Sequence, residues 1–191
     1  MTITYHSDSD IADDALMEDI IAIDQTVASG FYPIGKLEAH VSNVRHKAIS
    51  IFVFRDNKLL LQKRADKKYH SGGLWANTVC SHPRWNEASA ECASRRLTEE
   101  LGWTIPLRHF GQIDYAAQVG ELFENEQVQC YFGYAGSEID TIPFNPNEVS
   151  AIEWLSVTEI VERIKHKPEL FTEWFKIYMS KHRTMIIDLL S

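Results

Sequence analysis

An apolar run over residues 46–55, HKAISIFVFR, constrains the fold of this 191-residue chain more than any other feature. Because the run is rich in Ile, Val and Phe, it predicts a buried strand. Asp56 and Asn57 follow as turn residues, and residues 58–64 return as a second strand. The sequence therefore predicts a β-hairpin inside one globular domain, since a chain of this length can bury a full core.

Further strands are expected on both sides of one central helix. They are predicted over residues 19–24, 107–117, 122–134 and 151–155, with a turn at Gly120 between the second and third. Residues 25–35 contain Gly30, Pro33 and Gly35, so they are expected to form a loop. Residues 65–85 form a long connection, and a connection of that length inside a compact domain is usually functional.

Helical spacing of apolar residues predicts the central helix over residues 87–101, with Asn86 as its cap and Gly102 at its end. Residues 36–44 are expected to form a helical turn, residues 157–165 a helix, and Pro168 is expected to open a long terminal helix. This order of elements predicts an α+β layered domain over residues 19–191, and residues 1–18 are interpreted as a loosely held N-terminal arm.

Charge and cysteine content exclude several classes of protein. A net charge of −8 argues against a general nucleic-acid binder, although a small anionic substrate needs only local positive charge. The sequence contains no signal-like segment and no apolar run near the ~18 residues of a membrane span. An odd number of cysteines, Cys80, Cys92 and Cys130, then favours a reducing, cytoplasmic setting. A monomer or weak homodimer without nucleic-acid or membrane partners is expected.

The segment over residues 81–102 carries regularly spaced carboxylates. It reads Ser81-x5-Glu87-x7-Arg95-Arg96-Leu97-Thr98-Glu99-Glu100-x-Gly102. A helix with such carboxylates can hold Mg²⁺ against a diphosphate, whereas an isolated Glu-Glu pair is usually a solvated helix face. The pattern resembles the Nudix box, with Ser81 in place of a glycine and Arg96 in place of a glutamate. A cation at position 96 suits gripping a diphosphate more than hydrolysing it.

Three other groups of polar residues are weak signals individually. Cys80 and His82 lie in the segment Asn77-Thr78-Val79-Cys80-Ser81-His82-Pro83, Glu124 and Glu126 alternate on a predicted strand, and His40 and His46 flank another. For each group alone a structural role is the simpler interpretation. Together, three histidines and two glutamates form a nitrogen and oxygen donor set that suits an octahedral divalent metal, with Mg²⁺, Mn²⁺ and Zn²⁺ all possible.

Several stretches together resemble the type I isopentenyl-diphosphate isomerases. They are Lys36-Leu37-Glu38-Ala39-His40, Arg45-His46-Lys47-Ala48, Trp75 to Pro83, Arg95-Arg96-x3-Glu100-Leu101-Gly102, Glu124-Asn125-Glu126 and Phe171-Thr172-x-Trp174-Phe175. The resemblance covers residues 19–180 and is specific, because the Cys-x-His-Pro and Glu-Asn-Glu pieces are not general Nudix features. It implies a Nudix-type mixed sheet sandwiched by helices.

The resemblance also implies roles for individual residues. Cys80 matches the catalytic cysteine, Glu126 the catalytic glutamate, Tyr115 a tyrosine beside that glutamate, and Trp174 an aromatic residue over the hydrocarbon. The implied ligands of a protein-bound metal are His40, His46, His82, Glu124 and Glu126, and Glu100 is an implied ligand of the Mg²⁺ that arrives with the diphosphate. The implied substrate contacts are Lys36, Arg64, Lys68, Ser81 and Arg96.

The implied reaction moves a carbon–carbon double bond by protonation and deprotonation through a tertiary carbocation. An unactivated alkene needs a strong acid held close, and a glutamic acid beside a metal is a stronger acid than a thiol with a reference pKa of about 8.5. We therefore expect Glu126, with Tyr115, to donate the proton and Cys80 to accept one as a thiolate. The alternatives are a Nudix hydrolase of a nucleoside diphosphate derivative and a non-enzymatic relative that binds diphosphates or metal.

Overall fold

The computed structural model describes residues 18–136 and 142–190. The strands are β1 Asp19–Ile23, β2 Phe31–Gly35, β3 His46–Arg55, β4 Lys58–Arg64, β5 Trp75–Ala76, β6 Val79–Ser81, β7 Arg108–Val119, β8 Leu122–Tyr134 and β9 Val149–Leu155. The helices are α1 Lys36–Val41, α2 Ser89–Leu101, α3 Val157–His166, α4 Glu173–Lys181 and α5 Arg183–Ile187, with 3₁₀ turns at Pro168–Leu170 and Asp188–Leu190. The arm expected over residues 1–18 lies, except for Glu18, outside the described residues.

The strands form one mixed sheet around β3. This strand runs parallel to β8 and antiparallel to β6, while β4 pairs antiparallel with β9. The hairpin turn at Asp56 and Asn57 has positive φ angles of 51° and 58°, as a tight two-residue turn requires. Beyond it β3 and β4 pair at only two positions before each strand joins different neighbours. The strand boundaries of this hairpin and the mixed sheet are confirmed.

Alternate residues of β3 enter two separate cores. Ile49, Ile51 and Val53 belong to the core that includes residues of α2, with Leu97 and Leu101 among them. The other face of β3 contributes to a second core with residues of α4, which includes Ala48, Phe52, Phe54, Trp174, Phe175 and Tyr178. Because the strand is buried on both faces, its sequence is continuously apolar. The predicted α+β layers, with helices on both sides of the sheet, are confirmed.

Two local predictions in the first half of the chain are wrong. Residues 31–35 form β2 rather than loop, and Pro33 is tolerated there because β2 pairs only with β1 and lies at the sheet edge. The central helix is capped by the backbone at Ala88 rather than by Asn86, and the Glu91 carboxylate accepts a hydrogen bond from the Ala88 amide at 3.2 Å. Gly102 ends this helix in the left-handed conformation, as expected.

The C-terminal segment is not one long helix. Pro168 opens only a 3₁₀ turn, α4 begins at Glu173, and the chain breaks again at His182 before α5. The long connection after β4 also contains two short strands, β5 and β6. None of the helices in residues 18–136 and 142–190 combines the length and apolar character needed to cross a membrane.

Candidate active site

Three histidines and a glutamate converge at one end of the sheet. His40 lies on α1, His46 begins β3, His82 follows β6, and Glu126 lies on β8. The parallel register places His46 directly beside Glu126. One side-chain nitrogen from each histidine and one oxygen of Glu126 all lie within 4.8 Å of one another. Four of the five predicted metal ligands therefore meet at one point.

Two histidines of this cluster, His40 and His46, are oriented for metal binding. The Nδ1 atom of His40 lies 2.7 Å from the Lys36 carbonyl oxygen, and the Nδ1 atom of His46 lies 2.8 Å from the Val44 carbonyl oxygen. Because a carbonyl only accepts, each Nδ1 carries the hydrogen and each Nε2 keeps a lone pair. Both Nε2 atoms are buried without a hydrogen-bond partner. These residues fit a divalent metal, since such buried basic nitrogens are otherwise costly.

The fifth predicted ligand, Glu124, lies at the margin of the cluster. One of its oxygens, Oε2, is 3.9 Å from His40 Nε2, and the other, Oε1, is 3.3 Å from the Nε2 of His70. The Tyr115 hydroxyl donates to Glu126 at 2.8 Å and lies 3.4 Å from Glu124. His70 was missed by the sequence analysis, because a single histidine in a long connection forms no pattern with its neighbours.

Neighbouring groups shift the pKa values of the two buried glutamates in opposite directions. At Glu126 burial would raise the pKa, but the adjacent imidazoles of His46, 3.6 Å away, and His82, 2.8 Å away, outweigh it and hold the pKa well below its ordinary value. At Glu124 burial and the adjacent charge of Glu126 raise the pKa well above its ordinary value. The protein groups alone therefore favour one shared proton on this carboxylate pair, located on Glu124.

A single cavity contains both predicted proton-transfer groups. It encloses about 370 Å³, part of it open to solvent, and Cys80 and Glu126 both line it. The other lining residues are Lys36, Arg64, Tyr69, His70, Ser81, His82, Tyr115, Glu124, Trp174 and Tyr178. Most of the residues predicted for the site thus face one space, together with three aromatic or imidazole side chains that the sequence did not identify.

Cys80 is held by hydrogen bonds on β6. Its thiol donates to the Asn77 side-chain oxygen at 3.0 Å and lies 3.1 Å from the hydroxyl of Ser50, which is 3.0 Å from the Tyr178 hydroxyl. Burial raises the pKa of Cys80 to about 12. The resting side chain is therefore a thiol, and the thiolate expected to act in the reaction stays a prediction.

Trp174 is placed on α4 with its ring at the cavity. The side chain is buried, the guanidinium carbon of Arg64 lies 5.4 Å from the ring centroid, and the His70 ring meets it edge-on at 5.9 Å. Its indole nitrogen is buried without a hydrogen-bond partner. The ring therefore offers an aromatic surface beside a cationic residue.

Three of the predicted diphosphate and Mg²⁺ contacts lie apart from the cavity lining. Lys68 is paired with Glu148 at 2.6 Å, and Arg96 contacts Glu148 at 3.2 Å and Glu100 at 2.8 Å. The second carboxylate oxygen of Glu100 accepts from Gln62 at 2.8 Å. Lys36, Arg64 and Ser81 are the predicted substrate contacts that do line the cavity.

Comparison with known proteins gives both a fold and a family. The NUDIX domain family matches residues 44–175. A MutT NUDIX hydrolase structure from Burkholderia pseudomallei superposes with a TM-score of 0.55 at 20% identity, covering 72% of this chain and 97% of that chain. This likeness concerns the fold alone, and it agrees with the layered mixed sheet.

Curated relatives share much more of the sequence. The Isopentenyl-diphosphate Delta-isomerase of Jannaschia sp. (strain CCS1) is 46% identical over 158 residues, which is 82% of this chain and 89% of the relative. The protein of the same name from Rhodobacter capsulatus is 48% identical over 156 residues, with 81% and 88% covered. Similarity at this level extends over most of both chains.

Proposed function

The chain belongs to the isopentenyl-diphosphate Delta-isomerases of the Nudix family, and from this premise we propose that it interconverts isopentenyl and dimethylallyl diphosphate. The observation that carries this proposal is that Cys80 and Glu126 line the same cavity. Moving the double bond requires one group to add a proton to the terminal carbon and another to remove a proton from C2. A site with two such groups can perform both steps without net consumption of protons.

We assign the first proton transfer to Glu126 and the second to Cys80. The Tyr115 hydroxyl donates a hydrogen bond to Glu126 at 2.8 Å and so orients that carboxyl group. The intermediate is a tertiary carbocation, and the ionised Glu126 and Cys80 both stabilise its charge. Trp174 adds a cation–π contact and excludes water, which would otherwise trap the cation as an alcohol.

The resting thiol sets an energetic condition on this assignment. Before Cys80 can accept a proton it must lose its own, and the carboxylate pair is the acceptor within the cavity. Burial raises the pKa of Cys80 to about 12, whereas the pKa of Glu126 is held well below its ordinary value, so moving the proton from the sulfur to this carboxylate is uphill in the resting site. The Ser50 hydroxyl, 3.1 Å from the sulfur, can donate a hydrogen bond to the thiolate and so lower this cost.

A divalent metal belongs to the proposed site. We propose Mn²⁺, Mg²⁺ or Zn²⁺ as the ion held by His40, His46, His82, Glu124 and Glu126, and a separate Mg²⁺ that enters with the diphosphate and uses Glu100. A bound cation would favour the ionised form of its carboxylate ligands and so make Glu126 a stronger acid. For the diphosphate itself we propose Lys36, Arg64 and Ser81 at the cavity, with Lys68 and Arg96 released from Glu148. The cytoplasmic setting and the oligomeric state stay predictions from sequence.

Turnover by site variants tests the proposal. Purified protein with Mg²⁺ should interconvert the two diphosphates, and Cys80→Ala and Glu126→Gln should each lower turnover about 10²- to 10⁴-fold. Cys92→Ala, on the buried face of α2, and Glu153→Gln, in an exposed ion pair, are matched controls that should keep the wild-type rate.

Full activity in either Cys80→Ala or Glu126→Gln contradicts the assigned roles. Phosphate release from nucleoside diphosphate derivatives that is unaffected by Cys80→Ala would instead identify a hydrolase. Tight diphosphate binding without isomerisation, even with metal supplied, would identify a non-enzymatic relative.

A further inference from the structure

His70 lies beside the proposed metal centre although no pattern in the sequence marks it. It belongs to the connection between β4 and β5, and its side chain is 8% exposed. Its Nε2 atom is 3.3 Å from Glu124 Oε1, and its ring centroid is 5.6 Å from that of His40. A buried imidazole in this position contacts both a candidate ligand and the cavity.

We propose that His70 is a positioning residue, which donates its Nε2 hydrogen to Glu124 and so holds that carboxylate for the metal. The two hydrogen-bond partners of the imidazole define this direction. The Ser71 hydroxyl, 3.3 Å from Nδ1, can donate, whereas Glu124 can only accept once it has lost its proton to bind the metal. The hydrogen therefore belongs on Nε2, facing Glu124.

The two carboxylate oxygens of Glu124 have different neighbours, one for positioning and one for metal binding. His70 engages Oε1, while Oε2 lies 3.9 Å from His40 Nε2. Two ligand atoms each about 2.1 Å from one ion are about 3 Å apart at a right angle and about 4.2 Å apart when opposite. The separation of Oε2 from His40 falls in this range, so the carboxylate is already close to a ligand position.

Direct ligation by His70 is the competing interpretation. One nitrogen from His40, one from His70 and one oxygen of Glu124 also lie within 4.8 Å of one another. However, His40 offers only Nε2, because its Nδ1 is bonded to the Lys36 carbonyl. An ion held by that group of three would therefore take His40 away from the four-residue cluster, which provides more ligands. If His70 only positions Glu124, it keeps its contact with Glu124, and His40 stays available to the four-residue cluster.

The experiment measures Mn²⁺ binding to metal-stripped protein by titration calorimetry, in the absence of substrate. His70→Ala should weaken the affinity about 10- to 100-fold, as is typical when the hydrogen-bond partner of a ligand is lost. His70→Gln, which keeps an N–H donor, should recover most of that loss. His166→Ala, at the exposed end of α3, is the control and should bind like the wild type. The nitrogen couplings in the electron paramagnetic resonance of bound Mn²⁺ should be the same in His70→Ala and wild type.

The inference rests on the proposed metal centre, and its outcomes separate the two. If the wild type binds Mn²⁺ and His70→Ala binds it with the same affinity, the role of His70 is overturned but the metal centre is not. Loss of one nitrogen coupling in His70→Ala would make His70 a ligand and would also overturn positioning. A wild-type protein that binds no divalent metal would overturn the metal centre and this inference together.

Discussion

Replacing Trp174 by leucine removes the aromatic surface that the cavity presents to the carbocation. A cation–π contact contributes about 0.5–2 kcal/mol, which corresponds to an approximately 2- to 30-fold decrease in turnover. Trp174→Phe keeps a smaller aromatic ring and should therefore fall at the low end of this range. The substrate KM should change less than kcat, because the positive charge exists only in the intermediate.

Product analysis adds a second measurement to the rate. Since Trp174 is only 3% exposed and lines the cavity, leucine should admit water to the carbocation. Trp174→Leu should then release a tertiary alcohol diphosphate alongside the isomer, detected by mass spectrometry after incubation in ¹⁸O-labelled water. The wild type should release little or none.

Trp103→Leu is the matched control for this pair of measurements. Trp103 is 6% exposed in the other core and packs near Trp154, with the ring centroids 6.5 Å apart. Both replacements create buried space and should lower the free energy of unfolding, but only the one at Trp174 should alter the reaction. Wild-type kcat and no alcohol product in folded Trp174→Leu would refute the role of this ring.

Two other predictions concern stability. Gly102→Ala should lower the free energy of unfolding by about 2 kcal/mol or more in urea, because its φ is 67° and an added Cβ would meet the Pro143 ring at 2.8 Å. Gly120→Ala has a similar φ of 62° but no neighbour within 4 Å and should lose only about 1 kcal/mol, so equal losses would contradict the role of the Pro143 contact. At Glu148 burial would raise the pKa, but Arg96 and a neighbouring lysine outweigh it and lower the pKa. The stability that this ion pair contributes should be fully present above the pKa of Glu148 in the unfolded chain, and it should be lost as the pH falls through the lower pKa of the folded protein. Glu148→Gln should therefore weaken the decrease in unfolding free energy that the wild type shows below about pH 5. An unchanged decrease in Glu148→Gln would contradict this role of the ion pair.

Patterns within a segment predicted the local structure best. The strands β3 and β4 were located correctly because continuous apolar runs meet at two turn-forming residues, Asp56 and Asn57. The strand β2 was missed because Gly30, Pro33 and Gly35 usually indicate loop. Its stability comes from pairing with β1, a contact that no local pattern expresses.

The C-terminal segment was predicted as one long helix because a local pattern was again read without its tertiary contacts. Pro168 is a common first residue of a helix, yet here the chain turns before α4 so that Phe171 and Trp174 enter the core under the sheet. The helix then ends at His182, which caps it through a hydrogen bond to the Tyr178 carbonyl, and no residue pattern in the sequence marks this end.

The site residues were predicted as a set by resemblance, and the structure adds their mutual geometry. His46 and Glu126 share a register position, and Tyr115 lies opposite Glu126 on β7, which explains why distant segments form one site. His70 reaches the site only through the folding of a long connection. The protonation of Cys80 depends on burial, which composition and spacing do not express.

Isomerisation of isopentenyl diphosphate in heavy water tests most directly the claim that two groups in one cavity exchange protons with the substrate. If Glu126 donates and Cys80 accepts, deuterium from solvent should appear in a methyl group of dimethylallyl diphosphate, and Glu126→Gln should abolish its incorporation. The carboxyl group of Glu126 must exchange its proton with solvent for this test to apply. If product then forms at the wild-type rate without deuterium in that methyl group, the mechanism is contradicted.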